Sequence, residues 1–253
     1  MVVLSMKYKE VYDHFASDKK KVDIRTQYLL PKAIKVFKQT KVFPAWVWYD
    51  YTIPSTNNRY VIFFYSANFK CITQPKSDFF CVLYDDNQRY IVKWGASTYK
   101  SKEGKLEARR TLNFYTSHFL QRYNDRCIKN NTLSSNDVMC RFLSRNEVVA
   151  PIQIDEEVNK NWKEYGEFNG IGFRVNDGIC FGSSFVEYEP NSKGTNDDIK
   201  AHVNYYRTYV SKNEMSQEQW DVISKRYIEM WKTTMADYVA QSVNGEISLR
   251  LEP

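Results

Sequence analysis

Between residues 42 and 94 the apolar pattern repeats every second residue, and this stretch restricts the possible folds more than any other part of the chain. Four runs of aromatic and β-branched residues carry it: Trp46 to Tyr51, Tyr60 to Tyr65, Phe79 to Tyr84, and Tyr90 to Trp94. Turn-forming residues separate them, with Pro54 to Asn58 after the first run and Asp85 to Gln88 after the third. In the first run Trp46, Trp48 and Asp50 share one face, and Val47, Tyr49 and Tyr51 share the other. A strand apolar on both faces needs cover on both sides. The stretch therefore predicts an antiparallel meander of four strands inside a layered structure.

The rest of the chain supplies helices for those layers. Val11, Phe15, Ile24, Tyr28, Leu29, Ile34 and Phe37 recur at helical spacing, which predicts a helix over 8–40. Pro31 is expected to kink or restart it, because proline has no N–H and disfavours a helical residue before it. Residues 96–110 are polar and basic and read as a linker or mobile loop. A helix is expected from Asn113 to Ile128, and another from Ser134, where Asp137 completes a weak capping box. Strand signals return at 171–175 and 179–182 around Asn176-Asp177-Gly178, a hairpin turn signal, and again at 203–210. Ser216 and Gln219 open a last helix with a stripe of Trp220, Ile223, Tyr227, Trp231 and Tyr238, expected to pack on the body of the fold. The fold class is α+β: an antiparallel meander with flanking helices, then a helix–helix–antiparallel sheet unit and a C-terminal helix. A division into 1–100 and 101–253, or one continuous domain, fits this order.

Composition narrows the function classes. The 253 residues are 43% hydrophobic, 26% charged and 16% aromatic. The charged and apolar fractions are those of a soluble globule, which excludes collagen, disordered chains and membrane bundles. No apolar run approaches the roughly 18 residues of a membrane span, and the start is too short in apolar residues for a signal peptide. Five cysteines lie dispersed, with neither disulfide nor zinc spacing, so a reduced, cytoplasmic protein is expected. The formal charge of +6 is mild for a nucleic-acid binder. The run Lys19-Lys20-Lys21 reads as a solvated helix face, as do Glu156-Glu157 and Glu187-Tyr188-Glu189. His14 and His202 are isolated and read as surface or capping residues. No cofactor is implied, since no metalloprotease, P-loop or dinucleotide-binding pattern is present.

One segment combines residues with chemistry in them. On a helix, His118, Arg122 and Arg126 fall at i, i+4 and i+8 and form a stripe. At 100° per residue the stripe drifts about 40° per step toward the apolar sector of Phe119, Leu120 and Tyr123. His118 thus starts on the open face, and Arg126 ends near the core edge, where it must find an anion or a carboxylate. A histidine can transfer a proton near neutral pH, and arginines grip phosphates in two-pronged fashion, so the stripe suits a phosphate site. Structural ion pairs account for the same spacing equally well.

The order of this helix, a second helix at 134–145, and a sheet ending in Arg207-Thr208-Tyr209 resembles the barnase–RelE-like ribonuclease fold over residues 113–212. The resemblance implies an acid/base role for His118, phosphate contacts for Arg122 and Arg126, and a substrate contact at Thr208 or Tyr209. Two readings remain open. One is a metal-independent ribonuclease-like or RNA-binding protein. The other is a non-enzymatic module whose aromatic meander binds a protein or nucleic-acid strand. A membrane is not among the expected partners.

Overall fold

A computed structural model describes residues 1–3, 5–85, 88–100, 106–147, 149–154, 171–194 and 199–243. The chain opens with helix α1 (Tyr8–Gln39), followed by strands β1 (Ala45–Thr52), β2 (Arg59–Ser66), β3 (Lys76–Asp85), β4 (Gln88–Lys100) and β5 (Leu106–Thr116). Helix α2 (Ser117–Tyr123) runs into a π-helical turn, Asn124–Ile128, and α3 (Ser135–Arg145) follows. Strands β6 (Ala150–Gln153), β7 (Ile171–Val175), β8 (Gly178–Tyr188) and β9 (Ile199–Ser211) precede the last helix, α4 (Gln217–Val243). The described strands form one nine-stranded sheet in the order β1-β2-β3-β4-β5-β9-β8-β7-β6. Every neighbouring pair is antiparallel except β5–β9, which is parallel. The α+β class and the four-strand meander follow the expectation.

Both faces of the sheet are covered, as the two-sided meander requires. On one face α1 lays Val11, Phe15, Val22, Leu29, Ala33 and Phe37 against alternate strand residues such as Tyr60, Ile62, Phe64 and Phe114. The buried Asp18 of α1 is tied down by the Asn58 amide at 2.6 Å and the Tyr60 hydroxyl at 2.9 Å, which compensate its removal from water. On the opposite face α2 and α3 cover Val61, Phe63, Phe80 and Ile91 with Phe119, Leu120, Met139 and Phe142. The meander tryptophans belong to this packing. Trp46 donates its indole N–H to Ser144 Oγ at 2.7 Å, and Trp48 donates to Asp137 Oδ1 at 3.0 Å. Asp177, in the β7–β8 turn, binds the helical layer to the sheet: Tyr123 donates to its carboxylate at 2.6 Å, and the Arg145 guanidinium lies 3.1 Å away.

Three local expectations need correction. Helix α1 does not restart at Pro31 but continues through it; both Pro31 and Gln27, whose carbonyl loses its partner, are exposed, so water can take the missing hydrogen bond. Residues 96–100 and 106–110 belong to strands, not to a linker: β4 and β5 pair from Tyr90–Thr116 to Lys100–Leu106, across the boundary drawn at 100/101. The segment 101–105 lies outside the described residues. Residues 113–116 close β5, so the helix begins at Ser117, where the Thr116 hydroxyl accepts from Phe119 N–H at 3.1 Å.

Elsewhere the caps stand where they were expected. Ser134 and Asp137 form a reciprocal capping box on α3, and Ser216 and Gln219 do the same on α4. The π-turn after α2 and the β-bulges in β9 had no counterpart in the expectation. From α4, Ile223 is buried against Ile152, Ile179 and Phe181, while Trp231 is exposed and the side chain of Tyr238 lies outside the described residues. Lys19, Lys20 and Lys21 are exposed, as expected of a solvated face, and Glu156-Glu157 lies outside the described residues. Glu187 departs from that reading: it is half-buried and accepts from Lys9 N–H at 2.8 Å in the first turn of α1. Cys81, Cys140 and Cys180 are buried free thiols, and Cys71 and Cys127 are half-buried. No described helix is long and apolar enough to cross a membrane.

Candidate functional site

His118 and Arg122 lie exposed on successive turns of α2, and Arg122 Nε donates to His118 Nε2 at 3.4 Å. With Nε2 accepting, the imidazole proton sits on Nδ1. Beside His118 a cleft of about 600 Å³ opens between the first turn of α2, the start of β4 with Arg89 and Tyr90, and Arg207 of β9. Arg207 owes its place to a β-bulge. On β8, Phe181 faces Thr208 and Gly182 faces Tyr206, so Arg207 is the extra residue between them. Gly182 permits the close approach, since a Cβ there would sit 1.8 Å from the Tyr205 carbonyl oxygen. The parallel β5–β9 ladder ends at Tyr115–Tyr206, and the next residue, Arg207, is exposed at the mouth of the cleft. Among the described residues, none of His118, Arg122 and Arg207 is ion-paired with a carboxylate.

The other three expected site residues are elsewhere. Arg126 falls in the π-turn, whose i→i+5 bonds widen the helix and turn the side chain away from the stripe. Its Nη1 donates to the Tyr209 carbonyl at 2.6 Å, and its Nε lies 3.6 Å from Glu214. It thus meets the carboxylate that its position at the core edge demands. Tyr209 is fully buried, donates its hydroxyl to the Asp177 carbonyl at 2.7 Å, and burial pushes its pKa up. Thr208 is half-buried opposite Phe181 and does not line the cleft. Of the five expected residues His118 lines the cleft, and Arg122 stands on the next turn, hydrogen-bonded to His118. The last strand does approach His118, through Arg207.

A second constellation went unread in the sequence. On the face covered by α2 and α3, the strand register aligns Lys93, Asn113, Asn204 and Ser184 in one row across β4, β5, β9 and β8. The row beside it runs Gly95, Thr111, His202. Asn204 donates to Asn113 Oδ1 at 3.0 Å, Ser184 donates to Asn204 Oδ1 at 2.9 Å, and His202 Nε2 lies 2.5 Å from Ser184 Oγ. Apart from Ser184, these rows floor a cavity of about 450 Å³, also lined by Leu143, Val149 and Phe173. His202 is therefore not the isolated surface residue that its sequence surroundings suggest. Burial, with repulsion from Arg109, lowers its pKa. The alternation His202, Asn204, Tyr206 was the available signal.

Among the described residues no three His, Cys, Asp or Glu side chains group as a metal site would need. The fold and these two hollows define an α+β protein with a basic cleft at one end of the sheet and a neutral polar cavity on one of its faces. No family model, curated protein or solved structure matches the chain.

Proposed function

We propose that the chain binds single-stranded RNA at the cleft beside His118 and cleaves it without a metal. The observation carrying this reading is that His118 and Arg207 line one cleft and Arg122 is hydrogen-bonded to His118 from the next helical turn, each of the three without a carboxylate partner among the described residues. Unneutralised arginines beside a histidine suit a phosphodiester, whose non-bridging oxygens accept two-pronged hydrogen bonds. Half-buried Tyr90 gives the cleft an aromatic wall on which a base can stack.

The Arg122–His118 contact suggests the order of events. Once a phosphate takes the Arg122 guanidinium, His118 Nε2 is released to accept the proton of the ribose 2′-hydroxyl. The 2′-oxygen then attacks phosphorus and the 5′-oxygen leaves with a proton from water, giving a 2′,3′-cyclic phosphate. Arg207 and Arg122 stabilise the extra charge on the phosphoryl oxygens.

Fluorescence anisotropy with a labelled single-stranded oligoribonucleotide tests the binding. Two arginine–phosphate contacts predict a log–log salt slope of about −1.4, and Arg207→Ala brings it to about −0.7. Binding that ignores salt, or an Arg207→Ala protein indistinguishable from wild type, refutes the reading. Apart from Tyr90 at its edge, the aromatic meander is not the partner surface in this account, because α1 and α3 cover its other strand residues such as Ile62, Phe64, Val61 and Phe63.

A further inference from the structure

The cavity on the α3 side of the sheet shares no lining residue with the cleft at His118. Its floor is unusual for a sheet interior. On the same face, the neighbouring row Ile91, Tyr115, Tyr206 is packed into the core, yet the next row is Lys93, Asn113, Asn204, Ser184. Asn204 and Thr111 are 6% and 5% exposed, so their polar atoms are largely withdrawn from bulk water. Burying such a row instead of leucine or valine costs stability unless its groups are satisfied, and only part of their capacity is used within the protein.

The hydrogen bonds have one consistent direction. Ser184 donates to Asn204 Oδ1, so its own oxygen receives the proton of His202 Nε2, and His202 Nδ1 is left as an acceptor. Ser184 does not line the cavity, and its proton is committed to Asn204, so the pair is not a hydrolytic dyad. Asn204 Nδ2 and the Tyr206 hydroxyl both donate to Asn113 Oδ1, and the two Asn113 amide protons have no partner among the described residues. The Thr111 hydroxyl has two acceptors in reach, Ser97 Oγ at 2.9 Å and the Arg109 carbonyl at 3.3 Å, and in either arrangement Ser97 Oγ keeps a lone pair for a ligand. The charges on the walls cancel in pairs, Lys93 with Asp78 and Glu147 with Lys76.

Gly95 adds an independent observation. It lies in the middle of β4, on the same face as Lys93, and a Cβ built there meets no atom of the described residues within 4 Å. Neither a tight turn nor a close backbone calls for glycine. Glycine inside a strand weakens it, and open space above it is one of the arrangements that admit a ligand close to the backbone.

We infer that this cavity binds a neutral, hydroxyl-rich small molecule, recognised through the adjacent hydroxyls of a sugar ring. Each sugar hydroxyl both donates and accepts, which matches the unused amide protons of Asn113, the Ser97 hydroxyl and the bare Nδ1 of His202. The volume lies within the roughly 300–1,000 Å³ of small-molecule pockets. Among the described residues, no unpaired cation on the walls favours a phosphorylated ligand over its neutral parent.

Titration calorimetry and ligand-observed NMR on the full chain test this with D-ribose, D-glucose, maltose, uridine and uridine 5′-monophosphate. Saturable binding of a neutral sugar is expected, weakened about tenfold by Asn113→Ala, the effect of losing one or two hydrogen bonds. Gly95→Leu fills the hollow without touching the polar row and is expected to abolish binding while the melting temperature stays level or rises. Binding of uridine without the free sugars assigns the site to a nucleoside; binding of the pyranoses assigns it to a saccharide. Three results overturn the inference: no neutral probe binds, Gly95→Leu folds and binds as wild type does, or, with Arg207→Ala removing the phosphate contact at the His118 cleft, uridine 5′-monophosphate still binds more tightly than uridine.

Discussion

Arg126 separates a helix stripe that binds phosphate as one unit from the arrangement the structure contains. Its guanidinium donates to the carbonyl of the fully buried Tyr209 at 2.6 Å and reaches Glu214 at 3.6 Å. A hydrogen bond from a charged donor to such a carbonyl contributes about 1.5–3 kcal/mol. The Glu214 side chain is 39% exposed, so that pair adds less than about 1 kcal/mol. Arg126→Met keeps the apolar stem and removes the guanidinium, for an expected loss of about 2–3 kcal/mol. For a chain of this size that is a fall in Tm of about 4–12 °C. Circular dichroism melts and urea titrations measure it. RNA affinity, measured on the folded variant, is expected to match wild type. An unchanged Tm, or a loss of RNA binding as large as that of Arg207→Ala, refutes the assignment of Arg126 to structure.

Two further perturbations probe the elements that build the hollows. Gly182→Ala drives a methyl group into the Tyr205 carbonyl, so the bulge that delivers Arg207 must rearrange; a loss above about 3 kcal/mol in urea unfolding is expected, and an unperturbed midpoint contradicts the close approach. Burial lowers the pKa of His202 in the folded chain, so the unfolded chain binds that proton more readily, and the stabilisation present above about pH 6.5 is lost as the pH falls below it. His202→Gln removes this dependence. Wild type should lose stability relative to the variant between about pH 7.5 and pH 5.5, and the opposite trend refutes the burial of a neutral imidazole.

The parts of the fold legible in sequence were those with a local cause. Trp46 to Tyr51 and Tyr60 to Tyr65 alternate between two apolar faces, and both are covered. Ser134 with Asp137, and Ser216 with Gln219, announce helix starts within four residues. The β4–β5 hairpin was hidden because its inward positions, Gly95, Ser97, Thr111 and Asn113, are polar or bare, and such alternation imitates a loop. The cavity that hides the strands from the pattern is the same one proposed to take a ligand. His202 and Asn204 were illegible as site residues because their partners Ser184 and Asn113 are 18 and 91 positions away. Arg207, one residue before the expected pair, is the residue of this strand that lines the cleft. The strand was expected to offer Thr208 or Tyr209, but the bulge that presents Arg207 instead depends on the long-range pairing of Gly182. The π-turn that removes Arg126 from the stripe likewise leaves no mark in the 3.6-residue period.

Cleavage of a single-stranded oligoribonucleotide in excess EDTA, compared with the same strand carrying one 2′-deoxy position, tests the proposed function most directly. The account predicts a product ending in a 2′,3′-cyclic phosphate, no scission at the deoxy position, and a drop of about 10²–10⁴-fold for His118→Ala. An equal rate for His118→Ala and wild type, or cutting at the deoxy position, contradicts it.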